Sequence, residues 1–223
     1  MKPGREQLRA SSAAPEGWAD LAGMSEPETV QSGTALFTQG DNVEYVYFLE
    51  KGLVKTLHTN FNGEELIISL LYSEGSIMGA SCAVLGKHNV TATALSRSTY
   101  RRLPASLFRD LLRKDSDVSW KIHQLHCRVL SEQITQRIQL GCQTAKQRLE
   151  QLLWQLIQAL DVEVGPKGAK IPLPLKYWEI AQLIVVTPEH LCRMVKRMED
   201  DGLLKREKGW MIVPDPNELW HDP

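Results

Sequence analysis

The sequence predicts an α+β protein: an N-terminal antiparallel β-barrel or jelly roll, a long central helix, and a C-terminal winged helix-turn-helix. Three observations carry this. Between Val30 and Leu103, short apolar or β-branched runs alternate with turn signals, the texture of many short antiparallel strands. From Val118 to Gly141 the spacing of apolar residues is helical over a long stretch. Near the C-terminus, TPEHLCRMVKRM (Thr187–Met198) reads as the second of two closely linked helices, the arrangement that places a recognition helix in a DNA major groove. At 223 residues the chain has room for two domains of ordinary size.

In chain order, residues 1–17 are polar and rich in Ser, Ala and Pro, and are expected to be flexible. With a short helix over Trp18–Met24 they make up a first segment, 1–29. The barrel occupies 30–117. Its turn signals are Ser32-Gly33, Gly40-Asp41, Lys51-Gly52, Asn62-Gly63, Glu74-Gly75, Gly79 and Gly86, and the strand-like runs between them are ALFTQ, YVYFLE, LVKTLH, ELIISLLY, VTATAL and STYRRL. Asn62-Gly63 between two such runs is a strong hairpin signal. A plain sandwich without a pocket is the competing reading. After Pro104 a short helix is expected over Ala105–Leu112.

The long helix, 118–141, carries two apolar lines. Ile122, Leu125 and Val129 form one; Cys127, Leu130, Ile134 and Ile138 form the other. Two lines exceed a single core contact: such a helix packs on its own domain with one side and on a second copy of the chain with the other, and all seven residues are expected at the interface. Two-fold symmetry then sets two recognition helices about one DNA turn apart.

The last region, 142–223, begins with Thr144–Leu160, a helix opened by a Thr-x-x-Gln capping pattern. VEVGPKGAKIPLPL follows as loop and short strand. Tyr177–Val186 then puts Ile180, Leu183 and Ile184 on one side of a short helix. In the next helix Thr187 is the N-cap, Pro188 sits where a missing N–H costs nothing, and Glu189 meets the positive end of the dipole. Leu191, Met194, Val195 and Met198 make an apolar face; Glu189, Cys192, Arg193 and Lys196 lie opposite. An Arg there can bond a guanine edge bidentately and a Glu can accept from a cytosine amino group. Asp201-Gly202 stops the helix, and LLKREKGWMIV reads as strand, Lys-Gly turn, strand. This wing brings Lys205, Arg206 and Lys208, with Lys196 and Arg197, toward phosphates. The bland alternative is a solvated helix face.

Net charge is −1, so affinity for DNA must come from a local patch. No apolar run reaches membrane-span length, and the N-terminus lacks the apolar core of a signal peptide; the protein is expected in the cytoplasm. Cys82, Cys127, Cys142 and Cys192 are far apart, with no C-x-x-C pair, which argues against a zinc or iron–sulfur site of neighbouring ligands and against a disulfide framework. His123, His126 and Cys127 lie close together on the long helix, and His123 and Cys127 are spaced to share a metal; the competing and favoured reading makes them interface polar residues and a small core thiol. An enzyme reading finds only His58 and His88 in the barrel, without an H-x-H pair, so no enzymatic activity is expected.

The order barrel, long helix, winged helix-turn-helix, together with IAQLIVVTPEHLCRMVKRMEDDGLL, resembles the Crp/Fnr family of bacterial transcription regulators over Val30–Val213. The resemblance implies a cyclic-nucleotide-binding-like barrel that senses an effector, and a homodimer that reads a palindromic operator. The family's recognition-helix Glu and Arg match Glu189 and Arg193. Cys192 stands where a Ser is common, Pro188 where some members carry an Arg, and Val185 where the turn usually has Gly. Thr187, Pro188, Glu189, Cys192, Arg193, Lys196, Arg197, Lys205, Arg206 and Lys208 are the expected DNA-contacting set.

Cyclic-nucleotide-binding members carry a Gly-Glu pair and, about ten residues on, an Arg. Here the matching positions are Gly79-Ala80 and Val90, the latter followed by Thr91. A phosphate buried against Val90 would be left unpaired, at a cost of several kcal/mol. The effector pocket is expected around Gly79, Ala80, Ser81, Cys82, Val90 and Thr91, without cyclic AMP as its ligand; Lys87 or His88 would have to swing in to rescue it. No cysteine precedes Cys82, which removes the family's N-terminal iron–sulfur ligands. Cys82 near the pocket is a redox candidate or a buried thiol. RNA polymerase and an unidentified small effector remain as further partners. The alternatives are a cyclic-nucleotide-responsive regulator with rearranged ligands, and a small-molecule-binding barrel without sequence-specific DNA binding.

Overall fold

A computed structural model describes residues 18–72, 76–166, 168–216 and 219. The expected flexible start and the Glu74-Gly75 turn lie outside the described residues. The chain divides into two compact units, Met1–Gln133 and Ile134–Pro223.

In the first unit eight strands form two antiparallel sheets. They are β1 (Glu28–Val30), β2 (Ala35–Phe37), β3 (Tyr45–Lys51), β4 (Val54–Thr59), β5 (Glu65–Leu71), β6 (Ser76–Met78), β7 (Thr91–Ala94) and β8 (Ser98–Pro104). One sheet runs β1-β8-β3-β6 and the other β2-β7-β4-β5. Non-consecutive neighbours in both make this a jelly roll rather than a meander. Residues of both sheets meet in one apolar interior: Tyr47, Leu49, Met78 and Tyr100 from the first, Val54 and Ala92 from the second. The opposite side of β3 buries Val46 and Phe48 against helices. β3 is therefore covered on both faces, which explains the continuous apolar run YVYFL where a half-exposed strand would alternate. The Asn62-Gly63 hairpin joins β4 to β5. Asn60 Oδ1 accepts from the amides of Asn62 (2.9 Å) and Glu64 (3.0 Å), and Gly63 takes φ 79°.

Among the described residues four helices complete this unit. α1 (Trp18–Ala22) falls within the predicted Trp18–Met24, and α3 (Ala105–Lys114) extends the predicted Ala105–Leu112 by two residues. α4 (Ser116–Cys142) is the long helix, its first amides at Asp117 and Val118 held by Asp115 Oδ1. α2 (Ala80–Leu85) is a helix that the strand-like texture did not announce. Trp18, Phe48, Ala80, Cys82, Leu103, Phe108, Ile122 and Leu125 share one core. Ile122 and Leu125 are only 4% and 6% exposed within the single chain. This corrects the expected interface set: these two residues dock α4 on its own barrel and have almost no surface left for a second subunit. Cys127, Val129, Leu130, Ile134 and Ile138 are exposed, the last four at 45–62%.

The second unit contains the end of α4, then α5 (Ala145–Ala159), β9 (Val164–Gly165), β10 (Gly168–Pro172), α6 (Tyr177–Leu183), α7 (Pro188–Asp200), β11 (Lys205–Glu207) and β12 (Trp210–Val213). The predicted capping box opens α5: Gln147 N–H donates to Thr144 Oγ1 (3.3 Å) and Thr144 N–H to Gln147 Oε1 (2.8 Å). Leu149, Leu152, Leu153, Leu156 and Ile157 of this helix are buried. The sheet order β11-β12-β10-β9 makes the wing the edge hairpin of a small four-stranded sheet. Gly168 takes φ +89°, and a Cβ there would lie 2.0 Å from the Val213 carbonyl oxygen, so β10 and β12 approach as only glycine permits. Among the described residues no helix is long and apolar enough to cross a membrane.

Candidate nucleic-acid interface

α6 and α7 pack together across a three-residue turn, Ile184–Val186. Ile180, Ala181 and Ile184 are buried on the α6 side; Leu191, Met194, Val195 and Met198 are buried on the α7 side. The predicted apolar stripe of α7 is thus its core face. The turn is closed by Val185 N–H to Gln182 O (3.1 Å) and Val186 N–H to Ala181 O (3.0 Å). Arg148 of α5 fastens it, donating from Nε to Ile184 O (2.8 Å) and from Nη1 to Gln143 O (2.6 Å). Val185 sits in the left-handed region at φ 53°. The turn keeps the shape that glycine would adopt freely, and a β-branched residue bears the strain.

Thr187 caps α7, accepting from His190 N–H at 3.2 Å, and Pro188 follows at the first turn. Thr187, Pro188, Glu189, Cys192, Arg193, Lys196 and Arg197 are all exposed. Hydrogen bonding from its own backbone, then from Thr187, then the charge of Arg193, holds the Glu189 carboxyl below its ordinary range. The exposed face of α7 therefore offers a fixed acceptor at its N-terminus and a guanidinium one turn on, with further cations behind.

The wing turn is Lys208-Gly209, with Gly209 at φ 76°. Lys205 and Lys208 are exposed. Lys170 of β10 pairs with Glu207 (3.1 Å) and lies over the Trp210 ring (4.9 Å). Arg206, expected beside the phosphates, has its backbone N–H, Nε and Nη2 all engaged by the Glu199 carboxylate at 2.6–2.8 Å. The sequence carries no sign of this pairing, because the two residues sit on different elements seven positions apart.

The expected effector residues face different surroundings. Gly79 takes φ 80° just before α2, and Ala80 and Cys82 are buried toward the helical core rather than between the sheets. Cys82 donates its thiol hydrogen to Asn89 Oδ1 at 3.2 Å. Ser81 is exposed, Val90 is half-buried, and Thr91 is half-buried with its hydroxyl accepting from Gln39 N–H at 3.0 Å. The polar side chain that does turn inward is His88. It is 3% exposed and stacks on Phe37 with ring centroids 3.9 Å apart. Burial pushes its pKa down, with the charge of Asp41 acting the other way. At the rim, Arg102 pairs with Glu28 (2.7 Å) and lies over Tyr45 (4.5 Å), while Tyr100 Oη donates to Glu28 (3.2 Å). Burial raises the Tyr47 hydroxyl to about 12, and that hydroxyl donates to Leu36 O at 3.0 Å.

A metal centre finds no ligand set: among the described residues no three His, Cys, Asp or Glu side chains stand together to hold an ion. Cys127 and His123 are 3.6 Å apart on α4, and Cys142 and Cys192 are exposed and unpaired by disulfide. The cysteines present do not fit an iron–sulfur cluster.

Comparison with known proteins agrees with this two-part architecture. Residues 27–115 match the model of the cyclic nucleotide-binding domain and residues 147–221 that of the Crp-like helix-turn-helix domain. The chain is 23% identical over 199 residues to the electron transport regulator A of Shewanella oneidensis, covering 88% of this chain and 78% of that protein. It is 28% identical to the global nitrogen regulator of Synechocystis over 86% of each chain. It is 25% identical to the cAMP-activated global transcriptional regulator CRP of Salmonella typhimurium, over 82% of this chain and 86% of that one. Among solved structures, FixK2 from Bradyrhizobium japonicum superposes with TM-score 0.68 at 18% identity, over 87% of this chain and 95% of FixK2. The regulator TTHA1359 from Thermus thermophilus gives 0.72 at 17%, over 87% and 96%; at such identities the likeness is one of fold. With its barrel in the first unit and its winged helix-turn-helix in the second, the chain belongs to the Crp/Fnr family of DNA-binding transcription regulators.

Proposed function

We propose that the protein is a homodimer that reads a two-fold symmetric operator, each subunit presenting α7 to a major groove. Glu189 and Arg193 read base edges, with Thr187, Pro188 and Cys192 beside them. Lys196, Arg197, Lys205 and Lys208 hold phosphates. The observation that carries this reading is the two-sided character of α7: its apolar residues are buried while Glu189, Cys192, Arg193, Lys196 and Arg197 are all exposed. A merely structural helix of this kind would not need an acceptor and a guanidinium on adjacent turns at its solvent end. Cys127, Val129, Leu130, Ile134 and Ile138 form the contact between subunits. They lie on one 27-residue helix and are exposed among the described residues, and an exposed apolar stripe on such a helix favours a second copy as its cover.

The barrel responds to something other than cyclic AMP. Ala80 and Val90 supply no polar ligand, and His88 is buried beside Phe37, where desolvation disfavours its charged form. An effector would act by favouring one spacing of the two recognition helices. Selection of bound duplexes from a random pool, with purified protein and no added ligand, tests the DNA reading: recovery of a symmetric site supports it. Arg193→Ala should then cost about 1–3 kcal/mol on that site and little on random DNA. Equal loss on both would remove Arg193 from base reading. Subunit exchange and light scattering test the dimer, and a thermal-shift scan with cyclic nucleotides tests the barrel.

A further inference from the structure

Three parts of the winged helix-turn-helix converge on one side chain. Arg206 lies on β11 of the wing. Its backbone N–H donates to Glu199 Oε1 at 2.8 Å, its Nε to Glu199 Oε2 at 2.8 Å, and its Nη2 approaches Oε2 at 2.6 Å. Glu199 is in the last turn of α7, on the same helix as Glu189 and Arg193. The buried hydroxyl of Tyr177, at the start of α6, lies beside the same guanidinium without meeting hydrogen-bond geometry. Lys205 and Lys208, on either side of Arg206, make no comparable contact: Lys205 reaches Glu207 only at 4.0 Å with most of its side chain in solvent, and Lys208 is exposed.

We infer that Arg206 is a positioning residue, which clamps the wing to the end of the recognition helix through Glu199 and so sets where Lys205 and Lys208 meet the DNA backbone. This rests on the DNA-reading function proposed above. A guanidinium already engaged by a carboxylate through two of its nitrogens has its charge largely offset, and a phosphate would have to displace Glu199 to use it. The planar fork suits this role, and lysine, a point charge on a flexible stem, does not. The wing hairpin is short and at a sheet edge, so a fixed attachment to α7 transmits the position of the recognition helix to the wing cations.

The sign of one substitution separates the clamp from a phosphate contact. Removing a carboxylate near DNA strengthens binding if electrostatics alone decides. The clamp predicts the reverse. Affinity for the selected operator would be measured by fluorescence anisotropy across a salt series for Arg206→Ala, Glu199→Gln, the double variant and Lys208→Ala. Each single clamp variant is expected to weaken binding about threefold or more, with the double variant no weaker than the worse single one. Lys208→Ala should weaken binding in the unaltered protein and have little effect beside Arg206→Ala. Loss of fold alone would not produce that coupling, and thermal melting checks fold independently. Arg206→Lys should not restore affinity.

The inference is overturned if Glu199→Gln binds as well as or better than the unaltered protein while Arg206→Ala loses affinity and about one unit of salt slope. That result makes Arg206 a phosphate contact. If the unaltered protein binds no DNA, the operator reading fails, and the clamp is judged without DNA. Amide exchange over Lys205–Trp210 should then accelerate to the same extent in Arg206→Ala and Glu199→Gln; unchanged exchange refutes the clamp.

Discussion

Relieving the turn between α6 and α7 should stabilise the protein, although it removes an apolar side chain. Val185 holds φ 53°. A non-glycine residue in that region costs of order 1–3 kcal/mol, and about 2 is reasonable for a β-branched one. Val185→Gly recovers this but adds freedom to the unfolded chain, a cost of about 0.7 kcal/mol. The side chain is 59% exposed, and losing the covered two-fifths of a valine forfeits roughly 0.7 kcal/mol more. The net gain is about 0.6 kcal/mol. Val185→Asn loses the same cover, keeps a small residual backbone cost, and avoids most of glycine's entropic penalty; its net gain is of similar size. Urea unfolding of both variants against the unaltered protein, with unchanged m-values, is the assay. Both should shift to higher midpoint. If both are less stable by more than about 0.5 kcal/mol, backbone strain at Val185 is smaller than the packing its side chain supplies, and the reasoning is refuted.

Ile134→Glu places a charge in the exposed apolar stripe of α4 and should yield monomers by light scattering, with operator binding reduced at least tenfold; a stable dimer would show that the stripe is not the subunit contact. His88 is buried with its pKa lowered chiefly by desolvation. Below an unfolded-state pKa of about 6.5 the unfolded chain therefore binds more protons than the folded one, and stability falls as pH drops from there toward the folded pKa. His88→Phe should flatten that part of the stability–pH curve, and an unchanged curve would assign the dependence to other groups. Thr144→Ala removes the cap of α5 and should cost about 1 kcal/mol in denaturant unfolding; no loss would show that water replaces the Thr144 bond at that helix start.

Much of the fold was legible because its signals are local. The Asn62-Gly63 hairpin, the Thr144-x-x-Gln147 box and the Thr187-Pro188-Glu189 start each depend on residues within a few positions of one another. The apolar stripe Leu191, Met194, Val195, Met198 is a periodicity, and all four are buried. The family resemblance marked the strained turn, since a valine stands where the family usually has glycine, and Val185 takes φ 53°. The same local reasoning missed α2, whose six residues ASCAVL are too few to show a helical period among strands.

Relations between residues far apart in sequence, or equal in local pattern, emerged only with the folded chain. Ile122, Leu125 and Val129 continue one line along α4, yet the first two are buried against the barrel and the third is exposed. Periodicity specifies a face of a helix, while the place where the supporting domain ends decides which residues on that face it covers. His88 stacks on Phe37, 51 positions away, because its loop pairs with the segment after β2: Gly40 N–H donates to His88 O and His88 N–H to Asp41 O. Arg206 looked like any other wing cation until the fold brought Glu199 beneath it. The order of residues was enough to name most of the elements, the two-part architecture and the family. Folding decided which charges have close partners, as Arg206 has Glu199, because electrostatic pairing depends on distance in space rather than along the chain.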